Sequence, residues 1–331
     1  MNLDNIVGGN FRGCVLVCNG KNEVYKKVSG YADFANQIPN TFDTKFATAS
    51  AGKVFVAVAI LQLVEKGLLK LDDKIGDILD FDLNKIDPNI TIEDLLTHTS
   101  GIPDYFDESV MEEYEKLWMD FPNYKIRSNK DLLPLFIDKP MMYPHGSKFQ
   151  YNNTGFVVLA IILESISRKS FDEYLNQHIF EPCQMKDTGY YELDRLPAKC
   201  ANSYIFDEER EEYRTNIYSV DAKGTGAGGA FTTVYDIKLF WEHLLSEKLL
   251  SKSTTANMLA HHSGENNELY GYGIWLKKNN NNLIPFFTGS DPGVSFISSY
   301  DIQKELLIVL VSNYEDNVWQ LCRNIAEYLD E

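Results

Sequence analysis

The chain has 331 residues, 44% of them hydrophobic, with a formal charge of −17 and a pI near 4.8. That length suits roughly two domains of about 150 residues and a full core without disulfide or metal staples. The acidic balance repels phosphate backbones, and no apolar run approaches the roughly 18 residues of a membrane span, so neither a nucleic-acid partner nor a membrane-spanning helix is expected.

Residues 12–17 and 23–28 read as the two strands of a hairpin around the turn signal Asn19-Gly20. A helix is predicted over residues 50–66, with Gly67 as its C-cap. Its middle, VFVAVAILQLV, is apolar on nearly every side, so this helix should be central and buried. Residues 92–97, 129–137, 154–167, 171–179 and 233–245 suit helices, punctuated by Pro103, Pro140, Pro144, Gly146 and Pro182. Residues 271–277 and 283–287 then read as strands flanking an Asn-rich turn at 279–282. A second hairpin follows over 294–300 and 305–312, and an amphipathic helix over 318–329. Strands at both ends and helices between them predict an α/β (α+β) fold. Residues 1–70 and 231–331 would build an antiparallel sheet flanked by helices, and residues 71–230 a mainly helical insertion.

Cys14, Cys18, Cys183, Cys200 and Cys322 are odd in number and contain no Cys-x-x-Cys pair. Neither a disulfide framework nor a zinc site is suggested, and buried thiols in a reducing compartment fit best. The start MNLDNIVGGNFRG has no basic or apolar leader segment. A cytoplasmic protein is expected, or an exported one whose signal has been removed.

Three features carry candidate chemistry. In Ser50-Ala51-Gly52-Lys53, residues three apart share a helix face, so the Lys53 amine can reach the Ser50 hydroxyl. A serine needs a base, and a lysine is one if burial lowers its pKa. Tyr151-Asn152-Asn153 precedes a predicted helix. A tyrosine there can shuttle protons, and Asn153 can bond both a substrate carbonyl and a lysine. Phe287-Thr288-Gly289-Ser290 ends a predicted strand, where a substrate backbone can lie alongside. Each feature alone fits an ordinary cap, packing residue or turn. Other patterns carry less. Gly224-x-Gly226-x-x-Gly229 has no apolar strand before it. His261-His262 lack ligand-spaced partners, and the calcium-loop mimic at Asp82 lacks its glycine.

Ser-x-x-Lys, Tyr-x-Asn and a Thr-Gly strand in this order resemble the class C β-lactamase and D-Ala-D-Ala carboxypeptidase-like serine hydrolases. LLTHTSG (95–101), PHGSKFQYNNTG (144–155), GAGGAFTTVYDIKLF (226–240) and TGSDPGVSF (288–296) extend the likeness along most of the chain. The resemblance implies Ser50 as the acylated nucleophile, with Lys53 and Tyr151 sharing the base role. Asn153, Phe287, Thr288, Gly289 and Ser290 would meet the substrate, and the backbone N–H groups of Ser50 and Ser290 would form an oxyanion hole. It implies a structural role for His98, no metal or other cofactor, and a small ester, amide or D-peptide as the acyl donor; oligomeric state is not legible. One departure is plain: Phe287 stands where the family usually has Lys or His, the cation that holds a substrate carboxylate. Poor β-lactam hydrolysis is therefore expected. The alternative is a protein that binds such ligands without turnover, or traps the acyl group.

Overall fold

The computed structural model describes residues 2–280 and 282–330. Strand β1 (Gly13–Asn19) shows how the sheet is covered. Successive side chains on a strand point to opposite faces. Cys14, Leu16 and Cys18 enter one core, whereas Val15 and Val17 enter another. A strand apolar on both faces belongs in the middle of a sheet, and β1 sits between β2 (Asn22–Ser29) and a strand from the far end of the chain. The other strands are β3 (Leu269–Tyr270), β4 (Trp275–Asn279), β5 (Asn282–Asp291), β6 (Val294–Asp301) and β7 (Leu306–Ser312). Their order is β2-β1-β7-β6-β5-β4-β3, every pairing antiparallel.

Helix α1 (Lys53–Glu65) is buried at every residue from Lys53 to Leu63, as its all-round apolar sequence predicts. Next come the short α2 (Ile92–Leu96), closed at its start by a Thr91–Asp94 capping box, and α3 (Asn153–Ser167), capped by Asn152. Helix α4 (Val234–Leu245) joins α1 in the larger core. The opposite face of the sheet is closed by α5 (Val318–Asp330), which buries Val318, Cys322 and Ile325 beside Val15, Val17 and Leu310.

The terminal sheet and the long helices follow the predicted pattern, and the fold is mixed α/β with a large antiparallel sheet. Some expectations change. Residues 129–137, read as a helix, form a 3-10 segment (Asn129–Leu135) containing Pro134, which lacks the N–H an α-helix needs there. The helix expected over 171–179 is α-helical only over Phe171–Leu175 and continues as a π turn. The strand expected over 271–277 begins at Trp275, because Gly273 holds φ +68. Asn281, in the predicted Asn-rich turn, lies outside the described residues. The acidic stretch 207–212 joins a small hairpin, Tyr204–Asp207 with Glu212–Thr215.

Candidate active site

Ser50 lies in a 3-10 turn (Ala49–Gly52) that leads directly into α1. The turn is squeezed between two glycines. A Cβ on Gly289 would fall 2.2 Å from the Thr48 carbonyl oxygen and 2.6 Å from the Ser50 nitrogen. A Cβ on Gly228 would fall 2.4 Å from the Ala49 carbonyl oxygen. Ala49 itself holds φ +47, a costly conformation for a residue with a Cβ, and its carbonyl accepts from the Gly229 N–H at 3.0 Å. Packing on both sides therefore holds the backbone at Ser50. Strand β4 pairs with β5 only as far as Phe286, and the Ser50 turn packs against β5 just beyond it, at Gly289.

Lys53 follows one turn behind. Its Nζ is 3.0 Å from Ser50 Oγ and 2.9 Å from Asn153 Oδ1, and it also donates to the Ala227 carbonyl. The residue is 2% exposed. Burial lowers the Lys53 pKa to about 8, against the opposing pull of Glu108, Asp104 and Asp291. The amine is thus close to the hydroxyl and poised to exchange a proton near neutral pH.

Tyr151 and Asn153 arrive from the start of α3. The Lys53 Nζ is 5.0 Å from the Tyr151 ring centroid. That ring stacks on Trp275 at 5.7 Å and lies 4.5 Å from the His98 ring. Burial pushes the Tyr151 phenol well above its ordinary range; the Glu108 charge adds to this, and hydrogen bonding with Ser50 opposes it. Asn153 is 5% exposed, and its amide donates to the Phe106 carbonyl at 3.2 Å and to Glu108 at 3.3 Å. Asp104 fastens the helix start by accepting from the Asn153 and Thr154 backbone N–H groups at 2.8 and 3.1 Å. Burial raises the Asp104 pKa to about 6, and those N–H groups oppose the shift.

A cavity of about 640 Å³ opens over Ser50. Asn153 and Ser290 line it, together with Glu108, Asp221 and Asp291. Burial raises the Asp221 pKa to about 7 and that of Asp291 to about 8, the latter with Asp221 and Glu108 adding to the shift and Lys53 opposing it. Among the described residues, the only lysine or arginine lining the cavity is Arg214, which is held by Glu115 at 2.9 Å and Ser219 at 3.0 Å.

The structure gathers Ser50, Lys53, Tyr151, Asn153, Gly289 and Ser290. Two side chains predicted to meet substrate lie elsewhere. Phe287 is 3% exposed, stacked on Trp241 at 5.3 Å and close to Phe240 and Phe296, under α4. Thr288 faces the other way, donating to the Phe296 carbonyl at 2.7 Å and accepting from Trp319 at 2.6 Å. Period-2 alternation along β5 sends these neighbours to opposite faces, so only their backbone can meet a ligand. Asp104, Glu108, Asp221 and Asp291 were not singled out from the sequence. Asp291 adjoins Ser290 in the third motif and could have been noticed. The others come from loops whose path has no signature in residue spacing.

The beta-lactamase family model matches residues 4–329. A penicillin-binding protein from Bacillus halodurans of known structure is 38% identical, with a TM-score of 0.94 over 99% of this chain and 100% of that one. Penicillin-binding protein 4* of Bacillus subtilis (strain 168) is 27% identical over 93% of this chain and 69% of its own length. The teichoic acid D-alanine hydrolase of Staphylococcus aureus is 28% identical over 93% of this chain and 71% of its own.

Proposed function

As the chain belongs to the beta-lactamase family, we propose that this serine hydrolase works through an acyl-enzyme on small esters or amides, with Ser50 as nucleophile and Lys53 as acylation base. The observation that carries this reading is the Lys53 amine, buried and 3.0 Å from Ser50 Oγ. Neutral Lys53 takes the hydroxyl proton as Oγ attacks the carbonyl carbon. Tyr151, held as a neutral phenol, can relay that proton, giving its own to the leaving group as it takes the one from the Lys53 ammonium. The backbone N–H groups of Ser50 and Ser290 are the oxyanion donors in this reading, supported by the approach of β5 to the Ser50 turn at Gly289. Asn153 orients the donor and holds the amine. Water then releases the acyl group by the same proton route.

The cavity also favours one kind of acyl donor. Glu108, Asp221 and Asp291 beside the nucleophile offer acceptors to a protonated amine, whose charge would draw the raised Asp221 and Asp291 pKa values back down, and they give a substrate carboxylate no cation to pair with. An α-aminoacyl ester or amide offers such an amine next to the scissile carbonyl. A relative that hydrolyses D-alanine from teichoic acid supports this class. The test is a panel of p-nitrophenyl butyrate, D-alanine p-nitroanilide and nitrocefin, run on the wild type and Ser50→Ala. Turnover of the first two that vanishes in Ser50→Ala is expected, with nitrocefin far behind. Activity surviving in Ser50→Ala, or nitrocefin as the preferred substrate, would sink the reading. Intact mass on Ser50 that persists after a fluorescent penicillin is added would indicate an acyl trap instead.

A further inference from the structure

His98 is fully buried, follows the Thr97 C-cap of α2 and holds φ +57, a left-handed conformation uncommon for a residue with a Cβ. Its carbonyl accepts from the Gln150 N–H at 3.0 Å, and its ring Nδ1 accepts from the Asn152 N–H at 3.1 Å. The two residues on either side of Tyr151 are therefore tied to one histidine. Its ring also packs against the Tyr151 ring at 4.5 Å, with Tyr270 and Phe156 completing the enclosure at 4.6 and 5.1 Å.

The protonation pattern separates a clamp from a filler. Because Nδ1 accepts, the proton of the neutral ring sits on Nε2. That Nε2 is buried and has no hydrogen-bond partner among the described residues. An apolar side chain would fill the space without leaving a polar atom unpaired. What it would not supply is the acceptor for the Asn152 N–H. Burial holds the imidazole pKa well below its ordinary value, and the nearby Lys53 charge adds to this, so the acceptor persists across the working pH range.

We propose that His98 is a positioning residue for Tyr151, fixing the phenol against Ser50 and Lys53 through the backbone on both sides of it and the ring beside it. The inference rests on Tyr151 acting in the reaction as read above. Two variants test it, each also made with Tyr151→Phe. His98→Asn keeps a side-chain acceptor near the Nδ1 position and tolerates the left-handed backbone, whereas His98→Leu keeps bulk alone. Turnover of p-nitrophenyl butyrate is measured alongside the thermal midpoint. His98→Leu should lower kcat about 100-fold with KM little changed, and His98→Asn should stay within about threefold of wild type. In the Tyr151→Phe background His98→Leu should cost almost nothing further, since the residue acts through that phenol. If His98→Leu does not fold, His98→Gly, which suits the same φ, replaces it under the same criteria. A kcat near wild type in His98→Leu, an equal loss in both backgrounds, or failure of His98→Asn to rescue would overturn the proposal. Wild-type activity in Tyr151→Phe alone would instead remove the role of Tyr151, while Ser50→Ala reports separately on the nucleophile.

Discussion

Lys53 Nζ donates to Asn153 Oδ1 at 2.9 Å, joining the first turn of α1 to the first turn of α3. Both helices also place apolar side chains in the same core. This bond ties the amine to the segment that also carries Tyr151, so a shift of either helix start would disturb nucleophile, amine and phenol together. Burial at that junction also lowers the Lys53 pKa, which is what the proposed base role requires.

A lysine base works only when deprotonated, so its lowered pKa sets the pH response. With the folded value at about 8, kcat/KM for a neutral ester should climb about tenfold per pH unit below 8 and level off above it. Lys53→Met should lower kcat by about 100-fold or more. A stopped-assay profile from pH 5.5 to 9.5 checks this. A flat profile, or a descending limb in that range, would contradict Lys53 as base.

Gly289→Ala places a methyl 2.2 Å from the Thr48 oxygen, where only backbone can yield. Activity should fall more than 100-fold as the Ser50 turn is displaced, roughly the loss expected for an ångström of misplacement. Fluorophosphonate labelling of Ser50, read as a rate, is the direct measure. Labelling at the wild-type rate would mean the turn tolerates the shift.

Asp291→Asn removes a carboxyl of the cavity that a bound ammonium would ionise, while keeping its shape. For D-alanine p-nitroanilide, kcat/KM should drop about 10- to 100-fold, the range of a charge-assisted hydrogen bond at 1.5–3 kcal/mol. For p-nitrophenyl butyrate it should change little. Equal effects on both substrates would mean that Asp291 does not read the amine.

Phe287→Lys would place an ammonium among Trp241, Phe240 and Phe296. Among the described residues no carboxylate bonds into that cluster, so a loss of several kcal/mol is expected, seen as a lowered thermal midpoint without gain of nitrocefin hydrolysis. A stable variant that hydrolyses nitrocefin well would show that the side chain can turn into the cavity.

Much of this fold is legible from residue order because its long elements are strongly patterned. β1 and β7 alternate between two cores, and α1 is apolar on every side. The middle of the chain is less legible. Pro134 turns an apparent helix into a 3-10 segment, and hairpin Tyr204–Asp207 with Glu212–Thr215 turns through Glu-Glu-Arg-Glu, which carries no glycine or asparagine turn signal. At the site, Ser50 and Lys53 are three apart, so local geometry brings them together. Glu108, Asp221 and Asp291 meet only because separate loops and a strand end converge on one cavity, and nothing in their spacing records that convergence.

Because β1 lies between β2 and β7, the interior of the sheet joins residues far apart in the chain, with Cys14 opposite Val311. During synthesis the first hairpin must wait for nearly the whole polypeptide before its exposed edge finds a neighbour. Such distant pairing slows folding and leaves an adhesive edge in the interim. Cutting the chain before Leu306 should therefore yield aggregated material rather than a smaller working enzyme.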